Sequence, residues 1–289
     1  MLDFTVKISD NGNGGNGQKI FRKAREALQN AGIENFEPEA RWLFEHFTGA
    51  RTFDPVEIPA DKAETLRSAL KRRISGEPLQ YILGECEFYS LRILCEPGVL
   101  IPRPDTELLV DMALERIKDV KNPRVLDLCA GTGCVAVAIA KNRPDACVRA
   151  ADLFEKPLEV CRKNIDKNGT DNCRVIKLDV LCKPERPLDF DLITANPPYI
   201  KTSDLAGLQR EVLAEPQEAL DGGADGLVFY RSLCENFLPL IKPGAALAVE
   251  VGHDTADEVF NMLCKHLGNV NRQKDLSGIV RVISGKIMN

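Results

Sequence analysis

An asparagine followed by two prolines and a tyrosine, residues 196–199, is the part of the sequence best suited to chemistry. The Oδ1 atom of Asn196 and the carbonyl of Pro197 are hydrogen-bond acceptors, and the rigid Pro198 holds that carbonyl in place. Such a pair suits a planar amino group, whose nitrogen is a poor nucleophile until its lone pair is aimed at an electrophile. The motif therefore predicts catalysis by orientation, with Asn196 and Pro197 as catalytic residues and Tyr199 as an aromatic contact.

The segment before this motif, residues 190–195, is apolar and β-prone, as expected for a buried strand of a parallel sheet. Because the two prolines cannot extend a strand ladder, the strand must stop at Asn196, whose side chain then projects from the carboxyl edge of the sheet. Open α/β sheets bind their ligands at that edge. A simpler interpretation is a loop in which Asn196 caps a turn, and it weakens only if an electrophile site lies nearby.

Such a site is predicted upstream, where residues 124–128 form a strand, a loop with two glycines follows and residues 134–140 form a helix. Glycine lets the backbone approach a ligand closely, and the first N–H groups of a helix can receive a carboxylate or phosphate. The candidate cofactor-binding residues of this loop are Cys129, Ala130, Gly131, Thr132 and Gly133.

The two strands predicted after this loop each end in an aspartate. Residues 146–151 lead to Asp152, where we expect an acceptor for ribose hydroxyls, and residues 174–178 lead to Asp179, an acceptor for an adenine amino group. The simpler alternatives are a helix N-cap for Asp152 and a solvated turn for Asp179. The loop, both aspartates and Asn196 follow successive strand ends, and this order is far more specific than any one member.

A cofactor with a ribose can be a nicotinamide dinucleotide or S-adenosylmethionine, and the glycine pattern alone fits both. Hydride transfer needs a group that manages a proton, often histidine. None of the three histidines lies in a predicted strand-end loop of the first half of the sheet. A methyl sulfonium needs only an oriented nucleophile, which Asn196 can provide, so the residues favour S-adenosylmethionine.

The chain of 289 residues is longer than a typical single domain, and its composition is that of an ordinary globular enzyme. The predicted parts are a flexible tail over 1–17, a helical domain over 18–78, a β-hairpin linker over 79–100 and an α/β catalytic domain over 101–289. Helical spacing predicts that Trp42 belongs to the core of the helical domain. The basic residues 71–73 are interpreted as a solvated helix face, or alternatively as a contact with an RNA-bound partner.

No long apolar run or secretory leader is recognised, so we expect no membrane association. The ten cysteines contain no C-x-x-C pair and are expected to be reduced thiols of a cytoplasmic protein, with no metal site. The net charge of −5 argues against broad binding to a phosphate backbone, and we expect no direct sequence-specific binding of nucleic acid.

Motifs along nearly the whole chain resemble those of the HemK-type glutamine N(5)-methyltransferases, the enzymes that methylate class I peptide-chain release factors. Besides residues 196–199, the matching strings are residues 76–84, 87–88, 100–107, 215–216, 219–223, 225–227 and 250–252. The string I-P-R-P-D-T-E at residues 101–107 is highly characteristic of that family. The chain departs from the family at Cys129 and Ala130, where relatives often have Gly-Thr, and at Val180, where some have an aromatic residue.

The resemblance implies an α/β fold. The implied catalytic domain is a seven-stranded, Rossmann-like class I S-adenosylmethionine-dependent methyltransferase domain with an antiparallel edge. A β-hairpin would join it to a small N-terminal helical domain. It implies that residues 129–133, Asp152 and Val180 line the S-adenosylmethionine site, which Asn196 also contacts. The substrate glutamine would then be held by Asn196, Pro197, Pro198 and Tyr199.

The implied reaction transfers a methyl group to the side-chain amide nitrogen of the glutamine in the Gly-Gly-Gln loop of class I release factors. A glutamine methyltransferase that acts on a ribosomal protein would share the whole catalytic set. A more distant alternative is an amino-methyltransferase of adenine in DNA or of a base in RNA, which also uses Asn-Pro-Pro-Tyr but needs room for a flipped base.

Overall fold

The computed structural model describes residues 15–288, which divide into a helical unit, residues 15–84, and a sheet unit, residues 85–288. The helices of the helical unit are α1 (Gly17–Asn30), α2 (Phe36–Thr48), α3 (Ala60–Ile74) and α4 (Leu79–Leu83). Their apolar faces enclose one core that includes Leu28, Phe44 and Leu70. Most of the predicted tail, residues 1–14, lies outside the described residues, and α1 already begins at Gly17.

One expectation for the helical unit, that for Trp42, is wrong, and another, that for residues 71–73, is wrong for Arg73. Trp42 is 52% exposed, because the buried face of α2 runs through Ala40, Leu43 and Phe44 and leaves Trp42 on the opposite side. Arg73 is only 5% exposed. It follows Leu66 and Leu70 at helical spacing on the buried face of α3, so it lies on neither a solvated face nor a partner contact. Lys71 and Arg72 are exposed, as a solvated helix face requires.

Arg73 is buried together with a carboxylate of α2. Its Nε and Nη2 atoms donate to the two carboxylate oxygens of Glu39, at 2.6 and 3.2 Å. Glu39 itself is 7% exposed, so both partners of this two-pronged ion pair are withdrawn from water. A buried pair of this kind fixes the geometry between two helices, since neither charge is tolerated there alone.

The hairpin is shorter than the segment 79–100 predicted for it. Residues 79–83 form α4, which ends at Gly84 in a left-handed conformation with φ +78°. The hairpin consists of β1 (Glu85–Phe88) and β2 (Leu91–Leu94), which pair antiparallel in the sheet unit. The sequence pattern did not separate a short apolar helix from a strand, because both are brief apolar runs.

The sheet unit has a seven-stranded sheet flanked by helices. Its strands are β3 (Arg124–Leu128), β4 (Cys147–Asp152), β5 (Cys173–Lys177), β6 (Leu192–Ala195), β7 (Ala246–Glu250), β8 (Leu267–Lys274) and β9 (Val280–Ile287). Its helices are α5 (Glu107–Arg116), α6 (Cys134–Asn142), α7 (Glu155–Asn168), α8 (Val228–Ser232) and α9 (Ala256–Leu263). The strand order is β5-β4-β3-β6-β7-β9-β8, with β9 antiparallel to both of its neighbours and the other pairs parallel. The predicted fold class is confirmed, including the antiparallel edge.

After β3, strands β4 and β5 are added on one side, and β6 and β7 then follow on the other side of β3. The strands β3 and β6 are adjacent and parallel. Leu128 pairs with Ala195 at the carboxyl ends of these two strands. Residue 129 and Asn196 therefore leave the sheet side by side, at the kind of switch point where open α/β sheets bind ligands. No helix within residues 15–288 is both long and apolar enough to cross a bilayer.

Candidate functional site

The loop between β3 and α6 is held in a tight turn that exposes backbone groups. Cys129 has φ +56°, in the left-handed region that favours glycine, at the position where the family often has one. The N–H of Ala130 donates to the Ala151 carbonyl on β4 at 3.0 Å, and the N–H of Gly133 donates back to Ala130 at 2.7 Å. These bonds fix the turn, so that α6 starts directly behind it at Cys134.

Gly133 is required in this loop for two separate reasons. It has φ +78°, and a Cβ atom there would lie 2.3 Å from the Sγ atom of Cys161 on α7. We therefore expect Gly133→Ala to cost about 1–3 kcal/mol more stability than Gly169→Ala, as overpacking typically does. Gly169 is the matched control, because it has φ +60° but no atom within 4 Å of the added Cβ. Urea unfolding of both variants measures the difference, and equal losses would contradict the close approach.

Asp152 ends β4 beside this loop and is partly engaged by backbone. Its Oδ2 atom accepts from the N–H of Gly131 at 2.9 Å, and its Oδ1 atom accepts from the N–H of Phe154 at 3.2 Å. Burial raises the pKa of Asp152, while these backbone hydrogen bonds lower it. Each carboxylate oxygen has lone pairs for more than one donor, so Asp152 keeps acceptor capacity for hydroxyl groups of a ligand.

A cavity of about 360 Å³ lies at the carboxyl edge of the sheet. Nine of the residues predicted from the sequence line it: Cys129, Ala130, Gly131, Thr132, Asp152, Asp179, Val180, Asn196 and Pro198. Gly133 is absent from the lining, because it faces α7 and serves the shape of the loop instead. The structure thus brings residues from four strand ends to one cavity of the size that small-molecule sites have.

The charged side chains that line this cavity are mostly acidic, so the electrostatic potential inside it is negative. Among the described residues that line it, Arg103 is the single basic one, against the acidic residues Asp127, Asp152, Asp179, Glu218 and Asp221. The pKa of the Cys129 thiol is raised by burial and by the charges of Asp152, Asp127 and Asp179. A cationic ligand is therefore favoured here over one that carries a pyrophosphate.

Asp179 and Val180 follow β5 on the far side of the cavity. Asp179 Oδ1 accepts from the N–H of Leu181 at 2.8 Å, and its Oδ2 atom accepts from the thiol of Cys182 at 3.3 Å. The turn predicted as the simpler role of Asp179 is thus present, although the residue also lines the cavity. The Val180 carbonyl accepts from the Ser232 hydroxyl at 2.6 Å, which anchors this wall to α8.

Asn196 is fixed by a bond from its amide nitrogen. Nδ2 donates to the Thr106 hydroxyl at 3.3 Å, and Oδ1 accepts no hydrogen bond from any of residues 15–288. Asn196 lines both the large cavity and a second one of about 90 Å³, which Pro197 and Tyr199 also line. The motif therefore stands between two cavities and presents a free acceptor there.

A partly buried ion pair joins the motif at residues 101–107 to the one at residues 215–216. The Glu215 carboxylate accepts from the backbone N–H of Ile101 at 2.9 Å and from the guanidinium of Arg103. The Glu215 side chain is almost fully buried, whereas Arg103 lines both cavities. Two strings that lie far apart in the sequence thus meet at one site.

Sequence reasoning missed three polar residues around the site: Asp127, Thr106 and Glu250. Asp127 lies within β3 and accepts from the Thr194 hydroxyl of β6 at 2.7 Å, and its burial raises its pKa to about 7. Glu250 ends β7 and accepts from the Tyr199 phenol at 3.3 Å. For Asp127 and Glu250, the available signal was a carboxylate inside an otherwise apolar strand, since such a group is rarely buried without a role.

Two family models match the chain, one within each unit. Residues 19–84 match the PrmC N-terminal domain, and residues 104–236 match the methyltransferase small domain. Among solved structures, the catalytic domain of hMettl16 in complex with a MAT2A 3′UTR hairpin aligns with a TM-score of 0.56. The two are 14% identical, over 80% of this chain and 83% of that one, so the likeness concerns the fold alone.

Curated relatives match over most of their length. A release factor glutamine methyltransferase of Geobacter sulfurreducens is 38% identical over 93% of this chain and 96% of its own. Another of that name, from Thermodesulfovibrio yellowstonii, is 42% identical over 78% of this chain and 82% of its own. The resemblance found in the sequence motifs is confirmed, and the chain belongs to the family of release factor glutamine methyltransferases.

Proposed function

We propose that this methyltransferase transfers a methyl group from S-adenosylmethionine to the side-chain amide nitrogen of the glutamine in the Gly-Gly-Gln loop of class I peptide-chain release factors. The observation that carries the proposal is the position of Asn196. Its free acceptor stands between a large cavity suited to the cofactor and a small one suited to an amide side chain.

The large cavity fits S-adenosylmethionine in its chemistry. When bound, this cofactor supplies an electrophilic methyl group on a positively charged sulfur. The negative field of the cavity favours such a cation, and Asp152 retains acceptor capacity for ribose hydroxyls. The backbone of residues 129–133 and Val180 line the remainder, with Asp179 as a further acceptor for an amino group.

The motif at residues 196–199 would orient the substrate amide. Asn196 Oδ1 and the Pro197 carbonyl each accept one N–H, which leaves the nitrogen lone pair directed at the methyl donor. Thr106 keeps the Asn196 amide from rotating, because it accepts from Nδ2. Pro198 stiffens the loop, and the ring of Tyr199 packs against the aliphatic part of the glutamine.

Asp152→Ala should weaken binding of S-adenosylmethionine about 10- to 100-fold, the loss expected for hydrogen bonds to a charged group. Calorimetric titration with the cofactor measures this change. Asp171→Ala is the matched control, since Asp171 is an exposed aspartate that lies outside the lining of the cavity. Equal affinities of the two variants would remove the ribose role from Asp152, and circular dichroism shows whether the Gly131 loop remains folded.

The reaction is tested by mass spectrometry of an unmethylated class I release factor after incubation with the protein and S-adenosylmethionine. A single methyl group on the glutamine of the Gly-Gly-Gln loop supports the proposal. A cofactor-bound protein that leaves this glutamine unmodified would contradict it. Ribosomal proteins and then nucleic acids would be the next substrates to test in that case.

The ten cysteines support a cytoplasmic location for this reaction. All are free thiols, five of them buried, as is usual in a reducing compartment. Release factors act during translation, so enzyme and substrate would meet in the same compartment.

A further inference from the structure

Glu250 has an acceptor oxygen that the fold itself does not use. The residue is 2% exposed at the end of β7, and its Oε1 atom accepts from the Tyr199 phenol at 3.3 Å. Its Oε2 atom is buried and has no hydrogen-bond partner among residues 15–288. A buried carboxylate oxygen without a partner is unfavourable and rare. We therefore expect a bound ligand to supply a hydrogen-bond donor to this atom.

The position of Glu250 indicates what that donor is. Glu250 lines the cavity of about 90 Å³ together with Asn196, Pro197 and Tyr199. A ligand held by the two acceptors of the motif through its N–H groups would thus have a carboxylate beside it. Thr106 links the same residues from behind, because its hydroxyl accepts from Asn196 and interacts with Glu250.

Methylation of an amide nitrogen releases a proton that needs an acceptor. The nitrogen starts with two hydrogens, forms a bond to the methyl carbon with its lone pair while the carbon–sulfur bond breaks, and then carries one hydrogen too many. Loss of one proton restores a neutral N-methyl amide. A neutral amide nitrogen is a poor nucleophile, so its attack is easier when a base removes a proton as the carbon–nitrogen bond forms. The carbonyl of Pro197 and the amide of Asn196 can hold these hydrogens but are much weaker bases than a carboxylate.

We propose that Glu250 is the catalytic base of the reaction and accepts this proton on Oε2. The proposal rests on the proposed function, since it needs an amide substrate in the small cavity. Glu250 is left as a neutral carboxylic acid after each turnover and returns its proton to water when the product leaves. Asn196 orients the nitrogen and Glu250 removes the proton as the carbon–nitrogen bond forms, so both residues lower the barrier of the same step.

The groups around Glu250 suit a base that works near neutral pH. Burial raises its pKa to about 7, while the nearby hydroxyl of Thr106 and the hydrogen bond from Tyr199 lower it. The charge of Asp105 also raises this pKa, and that of Arg281 lowers it. Arg103 is the remaining charged side chain that lines the small cavity among the described residues. Because only the ionised form accepts a proton, the rate should rise with pH until Glu250 is fully ionised.

Glu250→Gln tests the proposal, because it keeps the shape and removes the basic oxygen. The single-turnover rate of release-factor methylation should fall about 100-fold or more at neutral pH, as for loss of a general base. The rise of the rate with pH near 7 should disappear, while calorimetric affinity for S-adenosylmethionine stays within about twofold. A variant that keeps the wild-type pH profile would overturn the proposal.

Tyr199→Phe separates proton transfer from a structural role of Glu250. It removes a hydrogen bond that lowers the Glu250 pKa, so the rising limb of the rate profile should move to higher pH. An unmoved limb would contradict the role of Glu250, even if Glu250→Gln failed to fold. Wild-type protein that methylates no release factor would instead overturn the proposed function, and the two failures are thereby distinguished.

Discussion

Replacing Asn196 by alanine is expected to slow methyl transfer about 100- to 1000-fold. The side chain supplies one of two acceptors that orient the substrate amide, and loss of one preorganised group of this kind typically costs about 2.7 to 4 kcal/mol of transition-state stabilisation. Cofactor affinity should change much less, because the other lining residues of the large cavity remain. Single-turnover methylation of a release factor and calorimetric titration of S-adenosylmethionine measure the two effects.

The control for this variant is Asn271→Ala. Asn271 is exposed on the edge strand β8 and lies outside both cavities, so its removal should leave the rate unchanged. Normal turnover by Asn196→Ala would refute the orienting role. Parallel losses of turnover and of cofactor affinity would also count against it, since Asn196 would then serve the cofactor site alone.

Arg73→Met is expected to destabilise the helical unit by about 3 to 5 kcal/mol, because it leaves the buried carboxylate of Glu39 without a counter-charge. Trp42, the single tryptophan, lies on α2 and reports on this unit alone. Urea unfolding followed by its fluorescence measures the change, and circular dichroism gives an independent signal.

A double variant shows whether the loss comes from the unpaired charge. Glu39→Leu combined with Arg73→Met removes both charges and should recover most of the stability, since buried ion pairs are often replaceable by apolar residues. If Arg73→Met alone changes the free energy of unfolding by less than about 0.5 kcal/mol, the pair does not stabilise the unit. A double variant as unstable as the single one would show that packing of the Arg73 stem is what matters.

The central strands were predictable because each is a continuous apolar run that ends at a polar residue. The segment 124–128 matches β3, and the segment predicted at 174–178 is displaced by one residue from β5. The two closing strands lack such a run. Most residues of the edge strand β8 are polar, and the apolar residues of β9 are interrupted by Arg281, Ser284 and Lys286.

The residues around the cavity were predictable where a strand end marks them and unpredictable elsewhere. Cys129, Asp152 and Asn196 each come at or just after such an end, so the parallel topology alone brings them together. Thr106 precedes α5, and nothing local links it to Asn196 across 90 residues. Arg73 was misjudged because a charge run suggests solvent, while helical spacing places it against Glu39.

The adjacency of β3 and β6 also has a consequence for how the protein folds. Asp127 and Thr194, which bond across these strands, are 67 residues apart in the chain. Contacts of such long sequence separation form slowly, since the entropy of closing the intervening chain must be overcome before they contribute. We therefore expect a nascent chain that ends before residue 192 to contain the glycine loop without a working cofactor site. Binding competence should appear in one step, when β6 docks.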